Sequence, residues 1–268
     1  MFRVTNRKTK VVDHLRQFGP TTGSQLQEFF FADCTKQNRT QHLKDLERLD
    51  LISKISIRTL LKKRLKSDET PLLPDVLEVN GISEKSRLPD TFNFIDTNRN
   101  EWVYFLNRKL SYLMYDYTEK NSLKFVAHQI IVNDIFNIYK ALVDPENILS
   151  DSQILGINGH NRKLLGPIPD LIINQNGVRI AIEVELSLKV SSRYKKKAER
   201  YRYSDFDHII YYCASDGVAF NLSQHFSDSK KIHFSLLVNK KNLFKFGEES
   251  ISPRQLMEKL GVIDESKI

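Results

Sequence analysis

The most constraining stretch of the chain is Ile168-Pro169-Asp170-Leu171-Ile172-Ile173-Asn174, followed closely by Val178-Arg179-Ile180-Ala181-Ile182-Glu183-Val184-Glu185. Two apolar, β-branched runs flank Asn174-Gln175-Asn176-Gly177. An Asn-Gly pair between such runs predicts a β-hairpin, because both residues tolerate the positive φ of a tight antiparallel turn. Asp170 opens the first strand and Glu183 lies near the far end of the second. Closing the turn therefore brings both carboxylates to the same end of the hairpin. Glu185, two residues past Glu183 on the same strand, points to the same face as Glu183.

Three carboxylates at one end of an apolar hairpin repel one another and cost free energy unless a proton or a cation sits among them. A divalent ion that prefers hard oxygen ligands, Mg²⁺ or Mn²⁺, is the natural occupant, and phosphodiester hydrolysis uses such ions to activate water and neutralise developing charge. The alternative is a solvated strand end with unrelated acids. Pro169-Asp170, twelve residues, then Glu183-Val184-Glu185 resembles the PD-(D/E)xK signature of the restriction-endonuclease-like nucleases, with Glu185 where lysine usually stands. The resemblance implies that Asp170 and Glu183 bind the metal and that Glu185 replaces a lysine that would help orient water. Lys189, four residues further on, could supply the missing cation.

At 268 residues with 40% hydrophobic content, the chain is long enough for two ordinary domains with real cores. Net charge is +8 and the pI is near 9.3, but the charge is uneven: residues 1–66 carry 15 Lys and Arg against 6 Asp and Glu. A basic N-terminal part favours a polyanion, either nucleic acid or an anionic membrane surface. No apolar run approaches a membrane span and Met1-Phe2-Arg3 leads into no signal-peptide core, so a cytoplasmic protein is expected. Cys34 and Cys213 are too few for a disulfide framework or a cysteine zinc site. The absence of a Gly-rich Lys-Ser/Thr loop argues against nucleotide hydrolysis.

In chain order, Val11, Val12, Leu15 and Phe18 predict a helix over 7–18 that stops at Gly19-Pro20, and Thr22-Gly23-Ser24 opens a second over 25–31. Asp33 or Thr35 can cap a third running to about Asp50, and Leu51–Ile57 alternates as a strand. Three short helices and a strand outline a winged helix-turn-helix. Leu43 and Leu46 face the core of that domain, which leaves Gln37, Gln41, Lys44 and Arg48, with the neighbouring Asn38, as an amide and basic stripe suited to base edges and phosphates in a major groove. The alternative is a solvated helix face; the domain's charge favours DNA. Residues 59–100 read as an irregular insertion, with Thr91–Ile95 and Trp102–Leu106 as strands of the wing. The tyrosines at 104, 112, 115 and 117 either pack the domain against its neighbour or stack on bases.

The winged-helix domain is thus expected over residues 1–120 and a second domain over 121–268. A long, largely buried helix spans Leu123–Val143, Ile148–Ile157 is a poorly marked strand, and the acid hairpin follows a loop at 158–167. Ser191-Ser192 can cap a helix to Tyr203, with Tyr194, Ala198 and Tyr201 inward and Lys195, Lys196, Lys197, Arg200 and Arg202 outside, where a phosphate backbone could run. Asp207–Cys213 is a strand, Val218–Phe226 a helix, Ile232–Val238 a last strand and Ser252–Leu260 a final helix. The expected class is α/β of the α+β kind: a winged helix-turn-helix, then an αβββαβ domain, the core order of the restriction-endonuclease fold.

The two halves together, with His128 and Asn133 on the long helix and Arg193-Tyr194 and Arg200-Tyr201-Arg202 after Glu-Val-Glu, resemble the replication-relaxation and MobC-type plasmid mobilisation relaxases. The resemblance implies a metal-dependent endonuclease that nicks double-stranded plasmid DNA at a transfer origin, with an accessory mobilisation protein as a further partner. His128 is a candidate catalytic residue; its alternative is a satisfied core histidine. Relaxases of the commoner class carry a His-x-His core that the seven histidines here never form. The rival function is a non-catalytic DNA-binding replication or transcription regulator on a nuclease-derived scaffold, motivated by the missing lysine.

Overall fold

Local sequence sets the first elements directly. The Thr5 hydroxyl accepts the Lys8 amide to start α1 (Asn6–Phe18), which Gly19 ends at φ 69. Thr22 and Gln25 form a reciprocal capping box at the start of α2 (Gly23–Phe30), just after the two-residue strand β1 (Thr21–Thr22). Thr35 caps α3 (Lys36–Arg48). These elements belong to a computed structural model that describes residues 5–57, 101–107, 123–158, 167–226, 231–237, 244–246 and 249–264. The described residues form an α+β protein in two compact units, one of residues before Ile135 and one from Ile135 onward.

In the first unit, β3 (Trp102–Leu106) lies between β1 and β2 (Ile52–Ser56), antiparallel to both, with Lys54 opposite Tyr104 and Thr21 opposite Tyr104 on the other side. Val11, Leu15, Leu26, Phe31, Leu43, Leu46 and Ile52 bury one face of each helix against this small sheet. Fully burying side chains of this size is worth roughly 1.5–3 kcal/mol each. Lys8 of α1 and Asp45 of α3 form an ion pair at 2.7 Å between largely buried side chains. The expected insertion at 59–100, its Thr91–Ile95 strand and the tyrosines at 112, 115 and 117 lie outside the described residues.

The long helix α4 (Leu123–Lys140) runs across the division between the units. In its first-unit part, the Asn133 amide donates to the Pro20 carbonyl at 3.0 Å, and the Gln25 amide donates to the Ile130 carbonyl and the Asp134 carboxylate. Buried polar groups paired in this way tie the part of α4 up to Asp134 to the first unit, while its residues from Ile135 belong to the second.

The second unit is a seven-stranded sheet in the order β10-β9-β8-β7-β6-β5-β4. Its strands are β4 (Ile148–Ser150), β5 (Leu171–Gln175), β6 (Val178–Glu185), β7 (His208–Cys213), β8 (Ile232–Leu236), β9 (Phe244–Phe246) and β10 (Glu249–Ile251). β6, β7 and β8 run parallel, and every other neighbouring pair is antiparallel. The helices are α5 (Asp151–Asn158), α6 (Ser191–Arg202), α7 (Asp216–His225) and α8 (Pro253–Lys259). One face of the sheet packs under α6 and α7 through Ala181, Ile209, Tyr211, Cys213, Tyr194, Ala198 and Leu222. On the other face, the hydroxyls of Tyr139 on α4 and Tyr212 on β7 meet at 2.9 Å.

Four expectations change here. The strand read over 148–157 is only β4, because Ser150 and Gln153 exchange hydrogen bonds between side chain and backbone and start α5 at Asp151. The strand at 232 is not the last, since β9 and β10 extend the sheet. Neither serine caps α6: its N-cap is Val190, with no side-chain cap bond, and Ser191 Oγ pairs instead with His225 Nε2. Lys197, read as an outside residue, turns inward beside the Tyr194–Ala198–Tyr201 seam, because it sits three residues after Tyr194 and four before Tyr201. No helix among the described residues is long and apolar enough to cross a membrane.

Candidate active site

The β5–β6 turn is the one its sequence demands. Asn176 and Gly177 both have positive φ, 55 and 78, and set Leu171 opposite Ile182, which places Asp170 beside Glu183 at the open end. The parallel register then sets Glu183 beside Tyr211 and Glu185 beside Cys213. The acids therefore stand at the carboxyl end of β6, roofed by α6. Carboxyl ends of parallel strands are where open α/β sheets hold their ligands.

Glu183 and Glu185 are 4% and 2% exposed, so neither is a solvated strand end. Asp170 Oδ2 accepts the Val184 backbone amide at 2.7 Å. Glu183 Oε2 lies 2.8 Å from the Lys197 ammonium, and its Oε1 accepts the Tyr201 hydroxyl. Glu185 Oε2 lies 2.7 Å from the Lys189 ammonium. Lys189 thus pairs with Glu185, while the cation on Glu183 is Lys197, whose side chain is 29% exposed. Its ammonium also lies 5.5 Å from the centre of the Tyr211 ring.

The charges are unbalanced in favour of the acids. Burial pushes the Glu183 carboxyl up, Lys197 pulls it down and the neighbouring Asp170 charge pushes it up again, with a net rise. Burial works against the Lys197 ammonium, but Glu183, Asp170 and Glu185 together outweigh it and hold the proton more tightly. Burial keeps the Tyr201 and Tyr211 hydroxyls protonated, with the acid charges adding to it. The Tyr211 hydroxyl is buried, under the influence of all three acids, and has no hydrogen-bond partner among the described residues.

The other expected site residues fall in separate places. His128 is half-buried on the first-unit part of α4, whereas the acids belong to the second unit. Gln37, Asn38, Gln41, Lys44 and Arg48 are all exposed on α3, and the Gln41 amide donates to Asp45 at 2.7 Å. Lys195, Lys196 and Arg200 are exposed on α6. Sequence reasoning missed Lys197, Tyr201 and Tyr211 as members of the acid cluster. The signal for the first two was the helical spacing that puts 194, 197 and 201 on one seam; Tyr211 becomes a neighbour only through strand register.

Mg²⁺ keeps several of its waters and takes one or two carboxylates together with substrate phosphates. Asp170 and Glu183 are donors of that type, two hard oxygen ligands at one strand end, with the Glu183 oxygens engaged by Lys197 and Tyr201. No group of three or more His, Cys, Asp and Glu residues suited to holding a metal occurs among the described residues. No family model matches this chain, and no curated protein or solved structure matches it.

Proposed function

We propose that the protein is a metal-dependent DNA endonuclease, with a winged-helix unit that binds duplex DNA and a restriction-endonuclease-like unit that nicks it, in the manner of a plasmid mobilisation relaxase acting at a transfer origin. The observation that carries this reading is the meeting of Asp170, Glu183 and Glu185 at one strand end with the Lys197 ammonium among them. Asp170 and Glu183 would hold Mg²⁺ or Mn²⁺, which when bound lowers the pKa of water and stabilises a leaving oxygen. Tyr201 orients Glu183 by donating to Oε1. Lys197 keeps a fixed positive charge in a water-poor site, where it meets the negative charge that develops on phosphate. Lys197 thereby takes the role of the signature's missing lysine from α6 rather than from β6. Lys195, Lys196 and Arg200 offer phosphate contacts along the same helix, and Gln37, Asn38, Gln41, Lys44 and Arg48 read the duplex.

Hydrolysis rather than tyrosine transfer suits these contacts. Tyr201 donates to Glu183, Tyr194 donates to the Ser187 carbonyl at 3.2 Å and accepts the Lys189 amide, and burial raises both hydroxyls. A second reading, a non-catalytic DNA-binding regulator, is favoured by one observation: both Glu183 oxygens already have protein donors. Incubation of supercoiled plasmid with the protein and Mn²⁺ separates the two. The proposal expects open circles that chelation prevents and that remain free of protein after denaturation in detergent. Duplex binding without nicking supports the regulator, and protein left covalently on the DNA overturns the hydrolytic mechanism.

A further inference from the structure

Between α3 and the β2–β3 ladder of the first unit lies a cleft of about 460 Å³, within the range of small-ligand sites. Its wall carries Lys36, Arg39, Lys44 and Lys54, and its two acids are already engaged. Glu47 pairs with Lys54 at 2.8 Å, and Glu101 accepts the Ser24 backbone amide at 2.9 Å. Among the described residues Lys36 and Lys44 have no carboxylate partner, and the Arg39 guanidinium donates to the neutral Gln27 amide oxygen, so the cleft keeps a positive excess. Its other wall is aromatic. Trp102, the single tryptophan of the chain, is 45% exposed, with the Lys54 ammonium 5.1 Å from its ring centre.

A half-exposed indole beside cations that no carboxylate neutralises is the chemistry that holds single-stranded nucleic acid: bases stack on the ring and phosphates meet the cations. Paired bases are stacked within their own helix and cannot lie against a ring in a cleft. An anionic membrane would also meet cations and tryptophan, but it needs a projecting surface rather than a concave one. We propose that this cleft binds an unpaired nucleotide of single-stranded DNA, its base stacked on Trp102 and its phosphates on Lys36, Arg39 and Lys44. This rests on the DNA-acting reading above and adds an unpaired segment to the duplex that α3 reads.

Because Trp102 is the only tryptophan, its fluorescence reports on this cleft alone. The test titrates the full-length protein with a thymidine oligomer of about ten nucleotides and with a duplex of equal length, while anisotropy of labelled DNA follows binding separately. The expected result is saturable quenching by the single strand, duplex binding with little quenching, and about tenfold weaker single-strand affinity in Trp102→Ala, with Trp102→Phe close to wild type. Lys36→Ala, outside the stripe that reads the duplex, should weaken single-strand binding more than duplex binding even if Trp102→Ala does not fold. Binding of the single strand without quenching overturns the inference and leaves the nuclease reading standing. Equal quenching by duplex, or a response only to phosphatidylserine vesicles, also overturns it. Failure to bind either DNA overturns both readings, and failure of metal-dependent plasmid nicking with intact quenching overturns only the catalytic one.

Discussion

Two lysine–carboxylate pairs, one in each unit, behave in opposite ways. Lys8 and Asp45 meet at 2.7 Å between α1 and α3, and hydrogen bonds from Lys8 and then Gln41 hold the Asp45 carboxyl below its usual range. Lys197 and Glu183 meet at 2.8 Å, yet Glu183 is pushed above its usual range by burial and by Asp170. The distances match and the directions differ because Glu183 is stripped of water while Asp45 is not, with the Asp170 charge adding to the rise of Glu183. A carboxyl held low stabilises the fold; its contribution is present above the unfolded pKa and is lost as pH falls through the folded value. A carboxyl held high costs stability as pH rises. The second pair is therefore costly to keep ionised, a property shared by functional sites and by structural ion-pair networks.

The comparison can be broken at several points. Lys197→Met should reduce metal-dependent nicking by about a hundredfold or more, because it removes fixed charge from a buried site. It should also move the acidic limb of the rate profile to higher pH, since Glu183 loses its main counter-charge; a wild-type rate and profile would remove Lys197 from the mechanism. Lys8→Ala should lower the melting temperature by several degrees with little effect on the nicking rate per folded molecule, as calorimetry beside the plasmid assay can show.

Asp134 sharpens the contrast within the first unit. Burial, with Glu28 and Glu101 adding to it and a hydrogen bond from Gln25 opposing it, pushes its carboxyl up to about 6. The folded state holds this proton more tightly than the unfolded chain, so stability falls as pH rises between the two values. Because Asp134 is exposed at the surface, solvent screens the effect and the expected slope is shallow. Asp134→Asn should flatten that slope in denaturant melts across this pH range; an unchanged slope would place the titration elsewhere. The smallest effect is expected on the outer face of α3. Replacing Lys44 and Arg48 by Ala should lower duplex affinity for all sequences alike and reduce the salt slope by about two.

How much of this the sequence disclosed depended on whether the deciding contact was local. The Asn176-Gly177 turn, the start of α2 at Thr22, the Thr35 cap and the Leu43–Leu46 face are local patterns, and each reappears in the structure. The convergence of Asp170 and Glu183 was legible because a hairpin turn fixes its own register. Lys197 was not, because a lysine in a run of basic residues reads as solvated until the helix is docked over an acid. Tyr211 depends on a parallel pairing between strands separated by a whole helix, which no local spacing encodes. The β4–α5 junction was misread because the polar Ser150-Asp151-Ser152-Gln153 stretch, which holds the cap, falls inside the span read as a strand.

The most direct test is a paired measurement on Glu183→Gln and Asp45→Asn: metal-dependent plasmid nicking and thermal melting of the same preparations near neutral pH. The account predicts that Glu183→Gln abolishes nicking while its melting temperature stays the same or rises, since it relieves a crowded buried charge. Asp45→Asn should melt earlier and still nick. If Glu183→Gln nicks at the wild-type rate, or if both variants simply lose stability together, the acid cluster is structural and the account of it as an active site is wrong.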